Sequence, residues 1–157
     1  MTSGPRVGAP GGAEAPSGGP RHELVGRVRR PLLVAAGIAA GTVLLAVRDP
    51  HVRGSYGLCP FNALTGLACP ACGCLRATHD LAHGDLAGAW GMNPLWVLAV
   101  PLVAALWVRW FAAAASDRRL RPVPVRAGWI GLAVVLAFGV LRNVPALTPW
   151  LAPWLAP

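Results

Sequence analysis

Hydrophobic and polar positions along the 157 residues fall into long blocks rather than a short alternation. Three apolar runs stand out, Leu32–Val47, Leu95–Ala115 and Ala127–Leu141. Blocks of this length predict membrane-spanning helices. The first run has sixteen residues, which at a 1.5 Å rise cover about 24 Å, a little short of a hydrocarbon core. Arg30 and Arg48 flank it and can snorkel to the two interfaces. About thirty residues precede this run and no small-x-small site comes before Arg48, so it reads as an uncleaved helix rather than a signal peptide. Asn93-Pro94 opens the second run with an N-cap residue and a proline suited to the first turn. Arg109, between Trp107 and Trp110 near the end of that run, reads as a snorkelling interfacial residue. Arg142, Asn143 and Pro145 close the third run.

The predicted organisation is therefore all-α. A membrane domain over residues 23–145 carries spans at about 31–48, 94–115 and 126–143. Residues 1–22, rich in Gly, Pro, Ala and Ser, are expected to form a disordered tail. The Trp- and Pro-rich segment 146–157 is too short to cross and is expected to lie in the interface.

Composition supports a bilayer setting: 55% of residues are hydrophobic and 13% charged, against roughly 25% charged in soluble domains. The net charge of +8 comes from arginine alone among the basic residues, there being no lysine. Because the arginines lie beside apolar runs, they set orientation and no nucleic-acid partner is expected. Arg21, Arg27, Arg29 and Arg30 precede the first run, and Arg118, Arg119, Arg121 and Arg126 follow the second. The loop 49–92 holds only Arg53 and Arg76. The positive-inside rule thus predicts a multi-pass plasma-membrane protein with a cytoplasmic N-terminus and the 49–92 loop outside. The abundance of Gly, Pro and Ala suits a bacterial source. Gly37 and Gly41 offer a small-residue face in the first span, a pattern that arises readily in so Gly-rich a chain.

The candidate chemistry is confined to that loop. All four cysteines, Cys59, Cys69, Cys72 and Cys74, lie within sixteen residues. A short helix is predicted from about Gly73 to His83, ended by Gly84, and a second around Asp85–Trp90 capped by Asp85. Arg76 and Asp80, four apart, are placed to pair on the first of these.

Three readings of the thiols stand side by side. Outside the cytoplasm they can form structural disulfides, with Cys59 closing onto Cys69 or Cys72 for roughly 3 kcal/mol of loop-closure stabilisation. They can instead hold a metal: Cys69 and Cys72 form a knuckle-like pair, and His79 and His83 share one helical face, giving a tetrahedral zinc set with Cys59 or Cys74 as substitutes. Thirdly, Cys69-x-x-Cys72 at a helix N-terminus suits thiol–disulfide exchange. No cofactor is expected on the first reading, and zinc is the ion on the second.

The ordered set Cys59-Pro60-Phe61, Thr65-Gly66, Cys69-Pro70-x-Cys72-Gly73, Arg76-Ala77, Gly84-Asp85-Leu86 and Asn93-Pro94-Leu95 resembles domain-of-unknown-function family 2752. That resemblance implies a small bacterial integral membrane protein without an assigned activity. It covers about residues 55–100. The family usually has Thr where this chain has Leu75, and an apolar residue where this chain has Cys74, which marks Cys74 as a local addition. The expectation is a non-enzymatic membrane protein whose stapled outer loop interacts with another membrane protein or with a second copy. The alternative is a thiol-redox or metal-binding protein acting through Cys69 and Cys72.

Overall fold

Apolar runs bounded by capping residues become helices because intrahelical bonds satisfy the backbone polar groups that lipid cannot. The computed structural model describes residues 20–52, 56 and 59–153, and among these there are seven helices and no strand. They are α1 (Pro20–Val47), α2 (Pro60–Thr65), α3 (Cys74–Ala82), α4 (Leu86–Met92), α5 (Pro94–Ala115), α6 (Val125–Leu141) and α7 (Thr148–Leu151).

Helix α1 begins well before the apolar run. Arginine is a good helix former, so the basic stretch through Arg27, Arg29 and Arg30 continues the same helix. The expectation of a disordered tail over 1–22 lies outside the described residues up to position 19, and Pro20 onward is helical. Pro31 sits inside α1 and leaves the Arg27 carbonyl without its usual donor. Trp107 of α5 donates from Nε1 to the Pro31 carbonyl at 3.1 Å, which ties the two helices together.

Two helices are long and apolar enough to cross a membrane, Glu23–Val47 and Pro94–Ala115. Only 6% of the apolar window of the first and 11% of the second are buried, unlike the core helices of a soluble domain. Leu33, Val43, Leu98 and Leu102 on these two helices are all exposed, as lipid-facing side chains should be. Helix α6 is apolar but has 17 residues, or about 26 Å at the helical rise.

The short helices build much of the packed core. Helix α3 packs on α4 and α1, and α1 on α5. Trp96 Nε1 of α5 donates to Thr78 Oγ1 of α3 at 2.8 Å. The buried residues include Ala68, Cys72, Ala77, Ala89 and Ala152, together with Asp80, Asn93 and Arg142. Among the described residues α6 has no extended packing on another helix; it meets the core at its C-terminal end.

The short helices carry well-formed ends. Gly84 takes a left-handed φ of 79° just beyond α3, and Asp85 accepts from Gly88 N at 2.8 Å to cap α4. Asn93 Oδ1 accepts from Trp96 N at 3.0 Å to cap α5. Helix α2 has only six residues and no periodicity to betray it. Pro60 opens it and Gly66, at φ 70°, closes it.

Candidate metal centre at the cysteine knuckle

Cys69-Pro70-Ala71-Cys72-Gly73 forms a tight knuckle. Cys72 N donates to Cys69 O and Cys74 N to Ala71 O, each at 3.1 Å. Gly73 ends it with φ 86°, a conformation that favours glycine. A Cβ there would also come within 2.5 Å of the Met92 carbonyl oxygen.

Side chains from distant positions pin this backbone. Asn93 Nδ2 donates to Pro70 O at 2.9 Å and Cys72 O at 3.1 Å, and reaches Cys74 Sγ at 3.4 Å. Arg142, fully buried, donates from Nη1 to Cys69 O and Cys72 O, both at 3.0 Å. Its Nη2 reaches Met92 O at 3.4 Å, and its guanidinium lies 5.0 Å from the Phe138 ring centroid. Asn143 exchanges two bonds with Ala68, accepting from its N and donating to its O, both at 2.8 Å. A buried guanidinium is costly unless its donors are used, and the knuckle carbonyls take both bonds from Arg142 Nη1.

This framework presents three sulfurs together. Cys69 Sγ lies 2.9 Å from Cys72 Sγ and 3.6 Å from Cys59 Sγ. All three lie within 4.8 Å of one another. Cys59 enters from the N-cap position of α2. The four cysteines are free thiols, with no pair at the disulfide length of about 2.05 Å.

Their environments differ. The backbone N–H of Asn62 lowers the Cys59 thiol below its ordinary range, against an opposing effect of burial. Burial, reinforced by the neighbouring Cys69 and Cys59 thiols, pushes Cys72 up to about 12. Burial likewise raises Cys74 to about 11, with the Arg142 charge acting in the opposite direction. A bound cation reverses this, because a coordinating thiol gives up its proton.

The predicted zinc set of Cys69, Cys72, His79 and His83 is not brought together. The metal-competent group among the described residues is Cys59, Cys69 and Cys72. Gly73 turns the chain into α3, and His79 faces α1, where its Nδ1 lies 2.7 Å from Leu45 O. Cys74 stands apart beside the Asn93 amide. Arg76 donates from Nε to Pro50 O at 3.3 Å, and Asp80 Oδ1 instead meets His51 Nε2 at 2.8 Å.

Arg142 and Asn143 read in the sequence only as the end of an apolar run. The available signal was the pair of polar side chains directly after that run. Nothing local tied them to a knuckle some seventy residues earlier.

Residues 59–107 match the family described as protein of unknown function (DUF2752), the family that the motif series resembles. The matched segment begins at Cys59 and runs through the knuckle, α3, α4 and the first part of α5. No curated protein and no solved structure matches the chain.

Proposed function

We propose that this is a small membrane protein that holds a thiophilic metal ion, zinc or copper(I), through Cys59, Cys69 and Cys72. The observation that carries the reading is the convergence of three sulfurs, all within 4.8 Å of one another, on a knuckle pinned by buried side chains. Thiolates are the ligands that select these ions, and a pinned backbone limits the ordering cost of binding. Three thiolates around a divalent ion carry one net negative charge, which the nearby Arg142 guanidinium complements. The arginine distribution supports a cytoplasmic N-terminus, an external knuckle and α6 as a third span.

The test is metal content and thiol reactivity of the full chain, purified in detergent without oxidation. The expected result is one zinc or copper per chain at this site, with three thiols shielded from a maleimide until a chelator is added. Cys74→Ser should keep that metal and Cys69→Ser should lose it. Freely reactive thiols with no thiol-bound metal would overturn the reading. The 2.9 Å between Cys69 Sγ and Cys72 Sγ favours one second reading, a redox-active pair. A native chain lighter by two hydrogens, with Cys69 and Cys72 joined, would support that reading instead.

A further inference from the structure

Helix α5 starts at the knuckle, where Asn93 caps it, and ends 22 residues later at Ser116, about 33 Å away at the helical rise. There Asp117 takes a left-handed φ of 54°, which Asp tolerates better than most side chains. Arg118 N donates to Ala113 O at 2.9 Å and Ser116 N to Ala112 O at 3.0 Å. These bonds fold the chain back on the last turns of α5. Pro122 and Pro124 keep it from resuming a helix before Val125.

Between this returning segment and α5 is a cavity of about 320 Å³. Four arginines line it, Arg109 from α5 and Arg118, Arg119 and Arg121 from the segment that follows. Ala112, Ala113 and Leu120 give it an apolar wall. No carboxylate is among the lining residues. Asp117, the one acidic residue of the segment, is held by Arg27 of α1, whose Nη1 meets its Oδ1 at 2.8 Å. Among the described residues none of the four lining arginines is in an ion pair. Like charges gathered around one cavity repel, and an anion seated among them relieves that cost.

The surroundings say which anion. Guanidinium groups present forked donors that match the oxygens of a phosphate. Trp110 adjoins Arg109, and Trp107 stacks on Phe111 with ring centroids 5.5 Å apart. Tryptophans gather at the membrane–water interface, and α5 is one of the two helices able to cross a membrane. The cavity therefore sits at headgroup depth. A free phosphate has no use for an apolar wall, whereas a phosphate joined to glycerol and acyl chains does. The volume lies at the small end of ligand cavities, which suits a headgroup rather than a whole lipid.

We infer that this cavity binds the headgroup of an anionic phospholipid, with the phosphate among Arg109, Arg118, Arg119 and Arg121 and the glycerol against Ala112, Ala113 and Leu120. Basic pockets beside membrane helices recognise lipid headgroups through this combination of charge and depth. The site is independent of the cysteines and of any metal they hold.

The experiment is native mass spectrometry of the full chain, delipidated and then released from detergent micelles doped with a known fraction of phosphatidylglycerol. The expected result is one lipid per chain, bound at least tenfold more tightly than phosphatidylcholine, whose choline cancels the phosphate charge. Arg118 and Arg121 are exposed and in no ion pair among the described residues, so their replacement leaves the fold intact. The double variant Arg118→Gln, Arg121→Gln should weaken phosphatidylglycerol binding by about thirtyfold, the effect of two charges near a lipid surface. The double variant Arg29→Gln, Arg126→Gln removes the same charge from outside the cavity and should change binding by less than about threefold. Leu120→Ser should weaken the lipid and leave inorganic phosphate unaffected. Equal losses in the two double variants would mean diffuse attraction and overturn the inference, as would equal binding of the two lipids. Inorganic phosphate that binds as tightly as phosphatidylglycerol, with Leu120→Ser affecting neither, would assign the cavity to free phosphate instead and overturn the lipid reading.

Discussion

Arg142 and Cys72 are 70 positions apart, yet the guanidinium of one donates at 3.0 Å to the carbonyl of the other inside the protein. The same nitrogen holds Cys69 O at 3.0 Å, so one side chain spans both ends of the knuckle. The end of α6 is thereby part of the cysteine site.

Replacing Arg142 by Leu removes these charge-assisted donors and leaves Cys69 O with Cys72 N, and Cys72 O with Asn93 Nδ2, as remaining partners. The expected loss is about 3 kcal/mol of stability. Arg142→Lys should recover less than half, because an ammonium cannot reproduce the fork. Thermal unfolding of the detergent-purified variants measures both.

Gly73→Ala puts a side chain at φ 86°, with its Cβ within 2.5 Å of the Met92 carbonyl oxygen. The left-handed conformation alone costs about 1–2 kcal/mol, and the close approach adds to it. A lowered melting temperature together with a reduced metal content is expected. Gly66→Ala, also at positive φ but with open space around it, should destabilise less and leave metal content unchanged.

Gly139 is where α6 touches the knuckle: a Cβ there would lie 2.7 Å from Pro70 Cγ. Gly139→Val should push the helix end away from the cysteines, at about 1–3 kcal/mol. Metal competition with a chromophoric chelator should show weaker binding. Gly131→Val, in open space on the same helix, is the matched control.

Stability of the metal-free protein should fall with alkali. Folding raises Cys72 from an ordinary value of 9.0 to about 12 and Cys74 to about 11. Below pH 9 both thiols are protonated in folded and unfolded chains, and their contribution is fully present. Above it the unfolded chain loses those protons first, so stability declines through pH 11–12. Cys59, shifted downward, acts below 9 and does not offset this decline. Denaturant midpoints between pH 8 and 11 check it, and a flat profile would contradict the burial of these thiols.

Much of the architecture is legible locally. Long apolar blocks specify helices because lipid leaves no other way to satisfy the backbone. Asn93-Pro94, Gly84 and Asp85 mark helix ends through their own chemistry, and the crowding of four cysteines into one loop locates the site. Tertiary structure decided which thiols meet. It sorted Cys59, Cys69 and Cys72 from Cys74, turned His79 toward α1, and recruited Arg142 and Asn143. The physical reason is range. Helix and cap signals act over a few residues, whereas a buried guanidinium finds its acceptors only where the folded chain turns carbonyl lone pairs toward it, and no nearby sequence records where that will be.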